Sequence, residues 1–180
     1  MIRPYRFVCR WRSALIALAI LLPAWAQPAR RVCAQGEDGA GLVVSGQATA
    51  KDVGLPIYPG ATPHKDTGEN SNAARLGLWG GGSGFRLAVL KLESKDAPRQ
   101  VADFYQKALA KYGKVLDCTK GRTSEDAKDG PRVLTCDEDQ PDQDGMLFKA
   151  GTKEKQHIVA IEPYGKGTSF ALVYVWAKGD

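Results

Sequence analysis

The sequence predicts an α+β fold: an antiparallel sheet of about six or seven strands with one long amphipathic helix packed on one face. Three observations carry it. One stretch alone, SKDAPRQVADFYQKALAKYG (94–113), repeats its apolar residues at helical three- and four-residue steps. Several shorter runs alternate apolar and polar residues, or are apolar throughout, and Gly- and Pro-rich turns separate them. The helix follows two such runs and precedes the rest, so the regular strand–helix alternation of a parallel sheet is missing.

Taken in order, residues 1–26 read as a signal peptide. Arg3, Arg6, Arg10 and Arg12 make a basic start, ALIALAILLPAWA (14–26) is the apolar segment, and Ala24 and Ala26 supply the small residues of a cleavage site. A membrane-crossing helix needs roughly 20 apolar residues; this run is shorter and Pro23 interrupts it. Export to the periplasm or the medium is expected, with no transmembrane segment after cleavage. Cleavage after Ala34 is the alternative, and it would also remove Cys33. Residues 27–50 are rich in Gly, Ala, Gln and charge and read as a flexible leader. That leaves 51–180 as a single domain with one core.

GLPIYPGATPHKD (54–66) leads the chain into the sheet. Pro59 and Gly60 suit the central positions of a type II turn, and Pro56 and Pro63 cannot donate to a ladder, which confines them to an edge. NAARLGLWGG (72–81) and GFRLAVLKLES (84–94) read as a hairpin around the glycines, with Phe85, Leu87, Val89 and Lys91 on one face and Arg86 and Ala88 opposite. In the helix, Asp96 or Ser94 is the expected cap and Pro98 fits the first turn. Val101, Phe104, Tyr105, Ala108, Leu109 and Tyr112 form the stripe, and Gly113 is the expected left-handed terminator. KVLDC, RVLTC, GMLFKA and HIVAIEP supply further strands, and TSFALVYVWAK, apolar on both faces, reads as an interior one.

Charge and cysteines narrow the function classes. The chain has 25 basic and 20 acidic residues; the first 26 hold four Arg and no acid, leaving 21 against 20. The basic balance belongs to the targeting segment and gives no support to a nucleic-acid partner. Of the cysteines, Cys9 leaves with the signal peptide. Cys118 and Cys136 sit in KVLDC and RVLTC, which an antiparallel hairpin would bring together as a disulfide in an oxidising compartment.

Catalytic and ligand motifs are sparse. GGGSG is not followed by the Lys–Ser/Thr of a phosphate loop, and no G-x-S-x-G occurs. The acidic run from Asp137 to Gly145 matches a calcium loop only in part, with Gln140 at the first position and Gly151 at the twelfth. No metal or cofactor is expected. The two histidines, His64 and His157, stand outside any nucleophile motif; His157 ends the row of a strand face. The expectation is therefore a non-enzymatic exported domain without catalytic residues that binds an envelope component or small ligand, or acts as an accessory subunit. Trp79, Tyr164, Tyr174 and Trp176 are its candidate ligand surface, on the sheet face away from the helix. The alternative is a small exported hydrolase using His157 with acids such as Glu162 or Asp137.

Two motifs together carry a resemblance. Leu55, Pro56, Tyr58, Pro59, Gly60 and Ala61, followed by Asp96, Pro98, Val101, Phe104 and Tyr105, resemble small exported bacterial domains of unknown function. These share a Leu-Pro-x-Tyr-Pro-Gly-Ala opening and an Asp-x-Pro-x-x-Val-x-x-Phe-Tyr helix. The resemblance covers roughly the first half of the mature domain and implies a fold, with no catalytic residues to carry over.

Overall fold

In the computed structural model, residues 39–120, 133–136, 140–141 and 144–179 are described. Among the described residues, eight strands form one antiparallel sheet: β1 (Gly41–Ser45), β2 (Thr62–Pro63), β3 (Ala73–Gly80), β4 (Ser83–Ser94), β5 (Leu116–Asp117), β6 (Met146–Thr152), β7 (Lys155–Tyr164) and β8 (Gly167–Lys178). Their order is β1-β3-β4-β8-β7-β6-β5, with β2 pairing β4 off this path. A short helix α1 (Ala50–Val53) precedes β2, and α2 (Pro98–Leu109) follows β4. The predicted fold class is the observed one.

The α2 stripe does what its spacing predicts. Val101, Tyr105 and Leu109 are fully buried and pack with Leu90, Leu92, Phe148, Val159, Ile161, Phe170 and Leu172. Alternation puts these strand residues on one face, and β8, apolar on both sides, lies between β4 and β7 in the middle of the sheet. The Tyr105 hydroxyl donates to Pro56 O at 3.2 Å and accepts from Tyr58 N at 3.1 Å, tying the proline-rich lead-in to the helix. Burial pushes the Tyr105 phenol above its usual range. The lead-in turn is present: Ala61 N donates to Tyr58 O at 3.0 Å, and Gly60 has φ 75°.

Several expectations differ from the structure. The helix is capped without Asp96 or Ser94: Ala97 is the cap residue, Pro98 begins the helix, and the Gln100 side chain accepts from Ala97 N at 3.3 Å. Asp96 instead accepts from the Tyr58 hydroxyl at 2.7 Å. The helix passes into one 3-10 turn, Ala110–Tyr112, and Gly113 follows with φ 125° and ψ −157°, outside the left-handed helical region. Gly41–Ser45, within the stretch read as a leader, adds β1 to the edge of the sheet by pairing with β3.

The disulfide Cys118–Cys136 is present, with Cα atoms 5.3 Å apart, but not across the expected hairpin. The described part of RVLTC, residues 133–136, is not a strand, and KVLDC contributes only β5, which pairs with β6. The bridged cysteines pack on Leu147, Leu116, Ile158 and Ala160, on the sheet face opposite α2. A loop of this length makes the bridge worth about 3 kcal/mol.

Candidate functional site

Each histidine lies on its own face of the sheet. His64 follows β2; its backbone N–H donates to Lys91 O at 3.1 Å, which continues the β2–β4 pairing by one residue. The period-2 alternation of a strand then sets Asp66 on the same side as His64, and Lys91 on the same side of β4 as Glu93. The result is a cluster. His64 Nδ1 lies 2.7 Å from Glu93 Oε2, and Nε2 lies 3.2 Å from Asp66 Oδ1. The Lys91 ammonium donates to Asp66 and, at 2.7 Å, to Glu69. Its hydrogen bond holds the Asp66 carboxyl below the usual range, and Asp66 and Glu69 in turn hold the Lys91 ammonium above its own.

His64 is only 7% exposed, whereas its acidic partners are half open to solvent. Tyr164 closes one side, its ring 4.6 Å from the imidazole in an edge-to-face contact. Beside the cluster is a cavity of about 170 Å³ lined by His64, Asp66, Lys91, Glu162 and Ser169 with apolar neighbours. Register explains the company: Ser169 pairs with Glu93 on one side and Glu162 on the other, so the three form one cross-strand row.

This cluster corrects the expectation of a domain without catalytic residues. A buried imidazole aligned by a carboxylate, with an ammonium and a hydroxyl at hand, is a constellation of the acid–base type. The signal was in the sequence: His64-x-Asp66 and Lys91-x-Glu93 each have the i, i+2 spacing that shares a strand face. It went unread because the prolines marked this stretch as a lead-in, and only the β2–β4 pairing sets the two spacings side by side.

His157 does not join the acids expected of it. It lies on the α2 face and Glu162 on the opposite one, since five residues separate them along β7; Asp137 is outside the described residues. His157 is 3% exposed. Its Nδ1 lies 3.0 Å from Val53 O, and the ring stacks on Tyr112 with centroids 3.5 Å apart and packs on Tyr174 at 5.0 Å. Burial lowers its pKa, and Lys155 and Lys111 add to the effect. Nε2 has no hydrogen-bond partner among the described residues.

The four aromatics of the candidate ligand surface divide. Trp79, Tyr174 and Trp176 share the α2 face beyond the end of the helix, not the face away from it, while Tyr164 sits with His64 on the other side. Part of the acidic run, including Asp137 and Asp142, lies outside the described residues. Among the described residues no group of three or more His, Cys, Asp or Glu side chains is arranged so that it could hold a metal ion, and no helix there is long and apolar enough to cross a membrane.

Fold and site together define a class: an α+β domain with a disulfide and a buried histidine set between two carboxylates. No family model matches the chain, and neither a curated protein nor a solved structure matches it.

Proposed function

We propose that the domain is a small exported hydrolase whose acid–base group is His64. The carrying observation is the 2.7 Å contact between Glu93 and Nδ1 of a buried imidazole that also lines a cavity. In hydrolysis an acid on one ring nitrogen fixes the imidazole and balances the charge it gains, while the other nitrogen moves the proton. Glu93 takes the first role, so Nε2 is the working nitrogen. Asp66 caps Nε2 at the longer distance of 3.2 Å and is itself drawn to Lys91.

A water that takes the place of Asp66 gives its proton to Nε2 and attacks the carbonyl carbon of a bound ester. As the new C–O bond forms, the carbonyl electron pair moves onto oxygen, where the Lys91 ammonium balances the charge. Collapse breaks the bond to the leaving alkoxide, which recovers the proton from Nε2. The small cavity favours a short acyl group over a long chain. Ser169 contributes the hydroxyl of the lining.

Export belongs to the same proposal and is supported by the basic and then apolar first 26 residues and by a disulfide that an oxidising compartment sustains. Kinship with small exported bacterial domains is likewise proposed, on the Leu55–Ala61 and Asp96–Tyr105 motifs. The direct test is a panel of short-chain esters, peptides and glycosides. Turnover of a short ester is expected, and Glu93→Gln should lower kcat by about 100-fold with the melting temperature nearly unchanged. A panel without turnover, or turnover indifferent to Glu93→Gln, overturns the proposal.

A further inference from the structure

We infer that the part of the α2 face left open beyond the helix binds a small organic anion carrying a flat ring. A groove of about 700 Å³ lies there, within the range of small-molecule sites. Register explains the opening: Gly77 and Ala88 contribute little bulk to its floor, while α1 and Tyr112 wall it. Gly54, at the end of α1, has φ 71°, and a Cβ there would come within 2.8 Å of both His157 and the Tyr112 hydroxyl. That wall is closely packed.

Charge selects the ligand. Lys51, Arg75, Arg86 and Lys155 line the groove against a single acid, Asp52. Asp52 is already engaged, by Arg75 at 3.1 Å and by the Thr49 amide and hydroxyl. Lys51, Arg86 and Lys155 have no ion-pair partner among the described residues. A concave surface lined by one sign of charge attracts the opposite sign.

The aromatic character selects the ring. Trp176 stands between Lys155 and Arg86 in register, and the Arg86 guanidinium lies 5.5 Å over its ring. Arg86 itself lines the groove, and a guanidinium offers an anion a fork of N–H donors. Trp176 stands behind the lining, and Trp79, Tyr112 and Tyr174 are the aromatic residues that line the groove itself. His157 also lines the groove, held by Nδ1–H donating to Val53 O, while its buried Nε2 has no hydrogen-bond partner among the described residues. Burial disfavours the imidazolium form, so His157 adds no charge of its own to the cationic lining.

The site is on the opposite face from His64 and does not depend on the hydrolytic reading. Calorimetry at pH 7.5 with 6-hydroxy-2-naphthoate, 2-naphthol and inorganic phosphate separates its elements. The naphthoate should bind saturably, about tenfold or more tighter than either the uncharged ring or the ringless anion. Arg86→Gln with Lys155→Gln should weaken it by about tenfold at an unchanged melting temperature, whereas Lys107→Gln, a cation on the exposed side of α2, should shift it by less than about twofold. Equal affinity for 2-naphthol, no saturation by about 1 mM, or an equal loss in Lys107→Gln overturns the inference.

Discussion

His64 and His157 are both more than nine-tenths buried, yet their surroundings are opposite. His64 meets a carboxylate at each ring nitrogen, and those carboxylates reach solvent. His157 lies between two tyrosines, with a backbone carbonyl at one nitrogen and, among the described residues, no hydrogen-bond partner at the other. Burial alone therefore does not assign a role. What matters is whether the neighbours can exchange charge: the first environment suits proton transfer, the second a neutral acceptor and a packing element.

The contrast breaks most readily through stability. His157→Ala removes a stacked ring from a packed wall and should cost about 3 kcal/mol, read as a lower urea midpoint at constant slope. His64→Ala should cost only about 1 kcal/mol, because its partners are screened by solvent and can rehydrate. Equal losses would erase the distinction between the two histidine environments.

Acid sharpens it next. With the folded pKa of His157 below the ordinary 6.5, the unfolded chain binds a proton that the folded chain refuses. Stability from this group is thus present above pH 6.5 and falls as pH drops below it, by up to about 1.4 kcal/mol per unit until the folded pKa is reached. Melting temperatures at pH 7.5 and 5.5 should differ more in the wild type than in His157→Gln. Asp66, whose folded pKa lies below 3.8, loses its contribution only as pH falls from there through that lower value. The two regions should therefore separate along the pH axis.

The smallest effect is expected at the rim of the acidic cluster. Glu69→Gln removes one of the two carboxylates on Lys91, at a partly exposed pair, and should cost less than about 0.5 kcal/mol. A larger loss in thermal denaturation would mean that the cluster behaves as a buried network.

The fold was largely legible because it rests on local periodicity. The α2 stripe, the hairpin about Gly81 and Gly82, and the long β8 each declare themselves within about twenty residues. The Cys118–Cys136 bond was legible too, although its local geometry was not: the pairing of β5 with β6 instead of with RVLTC depends on contacts distant in sequence. β1 was missed because Leu42 and Val44 are exposed, and an exposed edge strand leaves no buried face to read.

The site was less legible for a related reason. His64 and Glu93 are 29 residues apart, and their meeting requires a two-residue strand between prolines and turns. The groove is built by absences, Gly77 and Ala88, and by the place where α2 stops. Of the four aromatics the sequence grouped on the face away from the helix, Trp79, Tyr174 and Trp176 share the α2 face instead, because which face a strand buries is set by its partners.

The most direct test of acid–base chemistry at His64 is chemical rescue. In a short-ester assay His64→Gly should lower kcat by about 100-fold or more, and added imidazole should restore a measurable part of it without changing the melting temperature. Full turnover in His64→Gly, or a loss that imidazole leaves untouched, would contradict the assignment.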